Sequence, residues 1–249
     1  GLEALESADL PEIESTLRQH LAALSGTGYL TLAQSPEARG ETLELLAGQL
    51  EIARASGSLY LAVEATSRLL GGLVAAHCSD PLCEKVLEPI RRGEAIGGVA
   101  LAEPSESEDG PGPATTARLD GSAWVVSGQK SFATNAPIAD WLAVSARTEE
   151  EGRLLFAISE RGAEGLEVGP RQRTVGHDGL AVASVTLDEV RVTADQVLGP
   201  FDDDAPLDGL RQVEGLVLTM ASVGLMERCF HAAKNHSRSQ RRAGRPIFK

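Results

Sequence analysis

One glutamate in the last third of the sequence sits where chemistry could be done. Leu207, Leu210, Glu214, Val217, Ala221 and Leu225 step by three or four residues and so share one face of a helix. Five of these positions are apolar and one is a carboxylate. A carboxylate in an apolar stripe is partly desolvated, which raises its pKa and makes it a better base once ionised. Glu214 is thus a candidate proton acceptor, although helix glutamates are common and most lie on solvated faces. A second place is the run Phe132-Ala133-Thr134-Asn135, where extended geometry puts Phe132 and Thr134 on one side of a strand. Taken alone, that pattern also describes a core aromatic with a threonine beside it. Arg238, Arg241, Arg242, Arg245 and Lys249 form the basic cluster of an acidic chain; the end of a helix favours cations in any case. His177, in Thr-Val-Gly-His-Asp-Gly, reads as a structural turn residue. Cys78, Cys83 and Cys229 fit no zinc spacing and no disulfide framework, so no metal site is expected.

The elements that must carry these residues follow from periodicity and turn chemistry. Residues 9–93 read as helices. Asp9 caps a helix that has Pro11 and Glu12 in its first turn and Ile13, Leu17, Leu21 and Leu24 on its inner face. A second helix, from near Glu41, would bury Leu43, Leu46, Leu50 and Ala53; Leu59 to Ala76 is apolar nearly all round, as a buried helix should be. A helix beginning at Asp80-Pro81 closes at Gly93. From Ala95 to about Gly199 the chain reads as short strands. Val99–Ala102 stops at Glu103-Pro104, and a polar loop runs from Ser105 to Pro113. Asp120-Gly121 predicts a tight hairpin turn, and Ser127-Gly128 predicts another turn into Lys130–Thr134. Trp141–Arg147, Leu154–Ser159 and Ser184–Val192 supply further strands. An acidic hinge at 199–206 precedes a long helix from about Leu207 to Arg238. The expected fold class is α+β: an N-terminal helical domain (1–94), a central antiparallel β-domain (95–203) and the start of a C-terminal helical bundle (204–249).

With 249 residues the chain can bury a sizeable core. A formal net charge of −13 argues against nucleic-acid and anionic-membrane surfaces. No run of about 18 apolar residues is evident, so no membrane span is expected. The acidic stretch GLEALESADL lacks the basic-then-apolar pattern of a secretory signal, and a cytoplasmic location is the expectation.

The order Ala100-Leu101-Ala102-Glu103-Pro104, a Gly/Ser/acid loop, an Asp-Gly turn, Gly-x-Lys-x-Phe-x-Thr-Asn at 128–135 and Ala139-Asp140 resembles the flavin-contacting β-domain of acyl-CoA dehydrogenases. The similarity runs from about Ser58 to Lys249. It is densest at 100–140 and 184–199. The resemblance implies FAD as cofactor. Val99, Leu101 and Ala102 would serve its electron-rich edge, mostly through backbone groups, with Ala102 standing where the family carries Thr or Ser. Phe132 would pack on the flavin and Thr134 would approach N5. Glu108 occupies the position of a substrate-contacting Ser, and with Glu106 it makes the loop more acidic than the family pattern; a solvated acidic loop is the alternative. Glu214-Gly215-Leu216-Val217-Leu218 is similar to the Glu-Arg-Leu-Val-Leu that places the catalytic base in the isovaleryl-CoA and long-chain branches. Gly215 replaces the Arg and suggests close approach of another group. In the family an Arg before this Gly-x-Pro-Ile reaches the FAD diphosphate, often of a neighbouring subunit; here that position is Gln240, the Phe position is Ala243, and Arg241 or Arg242 is left to substitute. Gly-Arg-Pro-Ile lies in the family between the first and second helices of a four-helix domain, so a partner surface is expected on the last helix. The implied activity is α,β-dehydrogenation of an acyl-CoA or related thioester, passing electrons to an electron-transferring flavoprotein within a homo- or hetero-oligomer. The changes at Ala102, Glu108, Gly215, Gln240 and Ala243 leave open a non-catalytic homologue that contributes an interface.

Overall fold

The structure is a computed structural model that describes residues 2–32, 34, 42–104, 113–242 and 245–246. Helix α1 (Leu10–Ser25) starts where the cap was expected. The Asp9 side chain accepts from the Glu12 N–H at 3.0 Å, the Glu12 side chain returns to the Asp9 N–H, and Ile13, Leu17 and Leu21 are buried. Helix α2 (Thr42–Ala55) departs from expectation. It buries Leu45, Gln49 and Ala53, whereas Leu43 is 80% exposed. The cause is polar: Gln49 Nε2 donates to Glu64 Oε2 at 2.7 Å inside the helical layer, which rotates the helix away from its most apolar face.

Helix α3 (Gly57–Glu64) continues through a π-helical segment (Ala65–Leu70) into α4 (Gly71–His77). This run of 21 residues corrects the reading that no apolar span exists: it is long and apolar enough to cross a membrane. Yet 78% of its most apolar window is buried inside the fold, and it carries Glu64 and Arg68 within its buried length. Helices α5 (Asp80–Leu82) and α6 (Glu88–Arg91) flank a second π-helical turn, Cys83–Leu87. The reading of the cysteines also needs correction. Cys78 and Cys83 are joined in a disulfide across the turn between α4 and the second π segment, with Cα atoms 5.7 Å apart, while Cys229 is free and exposed. Five residues of separation matched no framework spacing, but the turn folds the two side chains together.

The sheet comprises β1 (Gly97–Ala100), β2 (Thr116–Asp120), β3 (Ala123–Thr134), β4 (Trp141–Thr148), β5 (Leu154–Glu160), β6 (Leu166–Val168), β7 (Val182–Thr193) and β8 (Val197–Phe201). Its order is β6-β7-β3-β1-β4-β5-β8, with β2 pairing both β3 and β4. The β1–β4 and β2–β4 pairs are parallel and the others antiparallel. The hairpin falls one residue later than expected: Asp120 pairs with Ala123, leaving Gly121-Ser122 as the loop, with Gly121 at φ +65°. Ser127-Gly128 does not turn the chain. β3 runs through it with a register shift against β7, and a Cβ on Gly128 would lie 2.5 Å from Thr115 Oγ1. A second shift lies between Lys130 and Ala133.

Apolar packing joins these layers. Leu70, Ile90, Trp141, Phe156, Leu207 and Leu210 meet between the helices and one side of the sheet. Val126, Val144, Leu155, Val185 and Val190 fill the opposite side. Helix α7 (Ala205–Ser239) leaves β8 and runs beside α2 and α3, where Val217 and Ala221 pack with Ala53 and Tyr60. Of the face predicted for it, Leu207, Leu210, Val217 and Ala221 are buried; Leu225 is exposed and Gly224 is buried instead, because α2 comes too close for a side chain there.

Candidate active site

The end of β1, the second irregularity in β3, the π-helical segment and α7 enclose one crevice of about 50 Å³. Ala65, Leu69, Val99, Leu101, Ala102, Ser131, Phe132, Thr134 and Glu214 line it. Six residues singled out from sequence thus meet: Val99, Leu101, Ala102, Phe132, Thr134 and Glu214. Larger hollows, about 330 Å³ beside His177 and Leu225 and about 430 Å³ beside Trp124, hold none of them. Convergent chemistry marks the small crevice as the candidate site, not size.

Each wall has a local cause. Phe132 occupies the left-handed region at φ +53°, unusual for an aromatic residue, and the residue is 65% exposed. The shifted register of β3 against β7 lets Phe132 stand out while Ala133 and Lys130 stay buried. The Ser131 N–H donates to the Ala102 carbonyl at 2.7 Å, fixing β3 against the end of β1. Below that contact lies a buried ion pair. Lys130 Nζ donates to Glu103 Oε1 at 2.6 Å, to Ser145 Oγ at 3.0 Å and to the Leu101 carbonyl at 3.3 Å. The two charged side chains are 0% and 3% exposed. Glu103 also accepts from Ala114 N, Thr115 N and Thr115 Oγ1 at 2.6–2.9 Å. Burial pushes the Glu103 carboxyl up, but Lys130 and the Thr115 donors outweigh it and hold the carboxyl below the usual carboxylate range.

Across the crevice, Glu214 is half-buried on α7. Burial raises its pKa, and Arg211 one turn earlier opposes part of that rise. This is the direction its apolar neighbours foretold. Gly215 does not mark a close approach within this chain: a Cβ there would meet nothing within 4 Å. His177, at φ +56°, accepts the Leu180 N–H at 2.9 Å in a turn and stands away from the crevice.

Two predicted residues fall elsewhere. Arg241 lies past the end of α7, and the helix rises roughly 37 Å between Glu214 and Ser239 at 1.5 Å per residue. Most of the length of α7 therefore separates it from the crevice. Glu108, with Glu106, lies outside the described residues. In turn, sequence reasoning gave no role to Glu103, Lys130, Ser131 or Asn135, although the motifs contained them. A charged or amide side chain next to a strand that must be buried was the available signal.

The crevice suits the edge of a planar, electron-accepting ring. Its sheet wall includes Val99, Leu101 and Ala102; beside it stand an exposed aromatic residue and the half-buried Ser131 and Thr134; a carboxylate completes the lining. At about 50 Å³ it admits such an edge and not a whole dinucleotide. Among the described residues no group of three or more His, Cys, Asp or Glu could hold a metal ion.

Residues 98–190 match the family model for the acyl-CoA dehydrogenase middle domain. The chain is 33% identical to a cyclohexane-1-carbonyl-CoA dehydrogenase of Geobacter metallireducens, covering 91% of this chain and 61% of that protein. A glutaryl-CoA dehydrogenase structure from Mycobacterium smegmatis superposes with a TM-score of 0.86 at 20% identity, covering 99% of this chain and 62% of that one. A glutaryl-CoA dehydrogenase from the same organism in complex with FADH2 gives a TM-score of 0.83 at 18% identity, covering 98% of this chain and 65% of that one. The fold is the α+β architecture of these structures, and residues 98–190 carry the match to the acyl-CoA dehydrogenase middle domain. The chain spans about three fifths of the length of these relatives.

Proposed function

We propose that this chain carries the flavin and base site of an FAD-dependent dehydrogenase acting on an acyl-CoA or related thioester. The observation that carries the proposal is the meeting of Glu214 with Val99, Leu101, Ala102, Phe132 and Thr134 in one crevice. Bound FAD would supply the acceptor for the substrate's β-hydride. The chain's own residues would do the rest. Phe132 offers a flat apolar surface, Thr134 and Ser131 offer hydroxyls, and the ends of β1 and β3 fix these groups before any ligand arrives. Glu214 Oε would take the α-proton, which the thioester carbonyl acidifies; partial burial keeps the carboxylate basic enough to do so.

Arg241, beyond the end of α7, would serve the diphosphate of a neighbouring subunit's FAD, which makes a homo- or hetero-oligomer part of the proposal. Transfer of electrons to an electron-transferring flavoprotein belongs to it too. So does a cytoplasmic location, where the Cys78–Cys83 pair would meet reducing conditions.

Titration of the purified chain with FAD, followed by visible absorbance, tests the reading. Uptake with a perturbed flavin spectrum, and turnover reduced by about 10²–10⁴ in Glu214→Gln, are expected. A colourless protein that takes up no FAD overturns it and leaves the non-catalytic homologue. Unchanged turnover in Glu214→Gln removes Glu214 from the chemistry.

A further inference from the structure

The final residue of the Phe-x-Thr-Asn run does not line the crevice, yet it is a heavily committed polar group beside it. Asn135 is fully buried and sits at φ +64°, a left-handed conformation that asparagine tolerates better than most residues. Its Nδ2 donates to the Ala62 carbonyl at 2.8 Å and the Gly97 carbonyl at 2.9 Å, with Thr66 Oγ1 at 3.3 Å. Its N–H donates to the Ala181 carbonyl at 2.7 Å, and its carbonyl accepts from Ile138 N and Ala139 N at 2.8 and 2.7 Å. The Thr66 hydroxyl is the second half of the junction. It accepts from Gly97 N at 3.2 Å and reaches the Ala62 and Gly97 carbonyls at 3.1 and 3.2 Å.

Three pieces of chain meet at these two side chains, and each lines the crevice a residue or two away. Ala62 and Thr66 straddle the switch from α3 to the π-helical segment, where Ala65 faces the crevice. Gly97 begins β1, two residues before Val99. Asn135 follows Thr134. The junction is also chemically selective. An Asn side chain brings two hydrogens to a spot ringed by oxygen acceptors, whereas an Asp carboxylate would bring only further acceptors. Asn135 Oδ1, by contrast, is buried with no hydrogen-bond partner among the described residues, an unmet acceptor that packing alone does not require.

We propose that Asn135, acting with Thr66, is a positioning residue that sets helix, β1 and β3 in register around the crevice and so fixes Val99, Thr134 and Ala65 toward the ring. This rests on the flavin reading for its functional consequence, but not for its structural one. Asn135→Gly keeps the left-handed backbone and deletes the amide. Thr66→Val keeps the shape and deletes the hydroxyl, and Thr66→Ser restores it. Val190→Ala, on the opposite side of the sheet, serves as a control that lowers stability without touching the junction.

Amide hydrogen exchange on the full chain without cofactor is the first readout. Exchange at Gly97–Ala100 and Thr134 is expected to speed up in Asn135→Gly and Thr66→Val beyond that of Val190→Ala, while β5 follows the control and Thr66→Ser follows the parent. FAD titration is the second. Each loss variant is expected to bind roughly tenfold more weakly, the equivalent of one buried hydrogen bond, with a shifted flavin spectrum that Val190→Ala does not show. Exchange that rises uniformly with the control overturns the positioning role. So does unchanged FAD affinity and spectrum in variants whose exchange has risen. A parent chain that takes up no FAD overturns the flavin reading, and the exchange pattern then decides the junction alone.

Discussion

The two walls of the crevice are built in different ways. On the sheet side, Lys130, Glu103 and Asn135 are buried polar groups tied by directional bonds to at least four segments of the chain. On the α7 side, a single half-buried carboxylate stands on a helix held by non-directional contacts: Val217 and Ala221 against Ala53 and Tyr60, and Gly224 against the α2 backbone. Much of the remaining α7 surface is apolar and open, with Leu216, Leu218, Leu225, Met226 and Phe230 all exposed. One wall is therefore set by geometry that a single substitution breaks. The other is set by how near α7 can come to its neighbours, and small changes of side-chain size adjust it in either direction.

The largest test of this contrast is Lys130→Met. The substitution keeps most of the side-chain volume and strands the Glu103 carboxylate in a site that is 3% exposed. Removing one member of a buried pair costs about 3–5 kcal/mol, because the remaining charge stays desolvated. Urea denaturation is expected to show a loss of that size. A loss below about 1 kcal/mol would mean the pair behaves like a solvated one, and the claimed rigidity of the sheet wall would go with it.

Two glycines on α7 sharpen the comparison from the other side. A Cβ on Gly224 would lie 2.6 Å from Ala53 Cβ and 2.7 Å from Ala53 C, so Gly224→Ala forces α2 and α7 apart and costs about 1–3 kcal/mol as overpacking. Nine residues earlier, Gly215 has open space around it, and Gly215→Ala should stabilise by up to about 1 kcal/mol through helix propensity alone. Thermal melts of the two variants are expected to move in opposite directions. Shifts of the same sign would show that propensity, not the approach of α2, governs this helix.

Much of this was legible in the sequence, and the exceptions have a common source. The cap at Asp9, the strands β4 and β5 and the long last helix follow from local rules that tertiary contacts did not override. Glu214 was found because its neighbours at helical spacing are apolar, and its raised pKa follows from that setting. The misreadings arose where a buried polar group redirected the chain. Gln49 turned α2 toward Glu64 and left Leu43 outside. Thr115 against Gly128 made a bulge of an expected turn, and the Cys78–Cys83 bridge depends on a turn that spacing does not reveal. Hydrophobic pattern reports which face is inside. It does not report which oxygen an amide will meet there.

The smallest expected effect concerns Glu214 itself and uses pH to separate its two surroundings. Its folded pKa lies above the ordinary value of 4.5, chiefly through burial and despite Arg211. For an acid shifted upward, the contribution to stability is fully present below the unfolded pKa, where both states are protonated, and is lost as pH rises through the folded pKa, since ionisation is then easier in the unfolded chain. Glu214→Gln removes that loss. The variant should match the parent near pH 4 and become the more stable of the two toward pH 7, by well under about 1 kcal/mol because solvent reaches part of the side chain. Denaturation curves taken across that range check the sign. A parent that instead gains on the variant as pH rises would mean that Arg211 outweighs burial, and α7 would then present an ion pair to the crevice in place of a base.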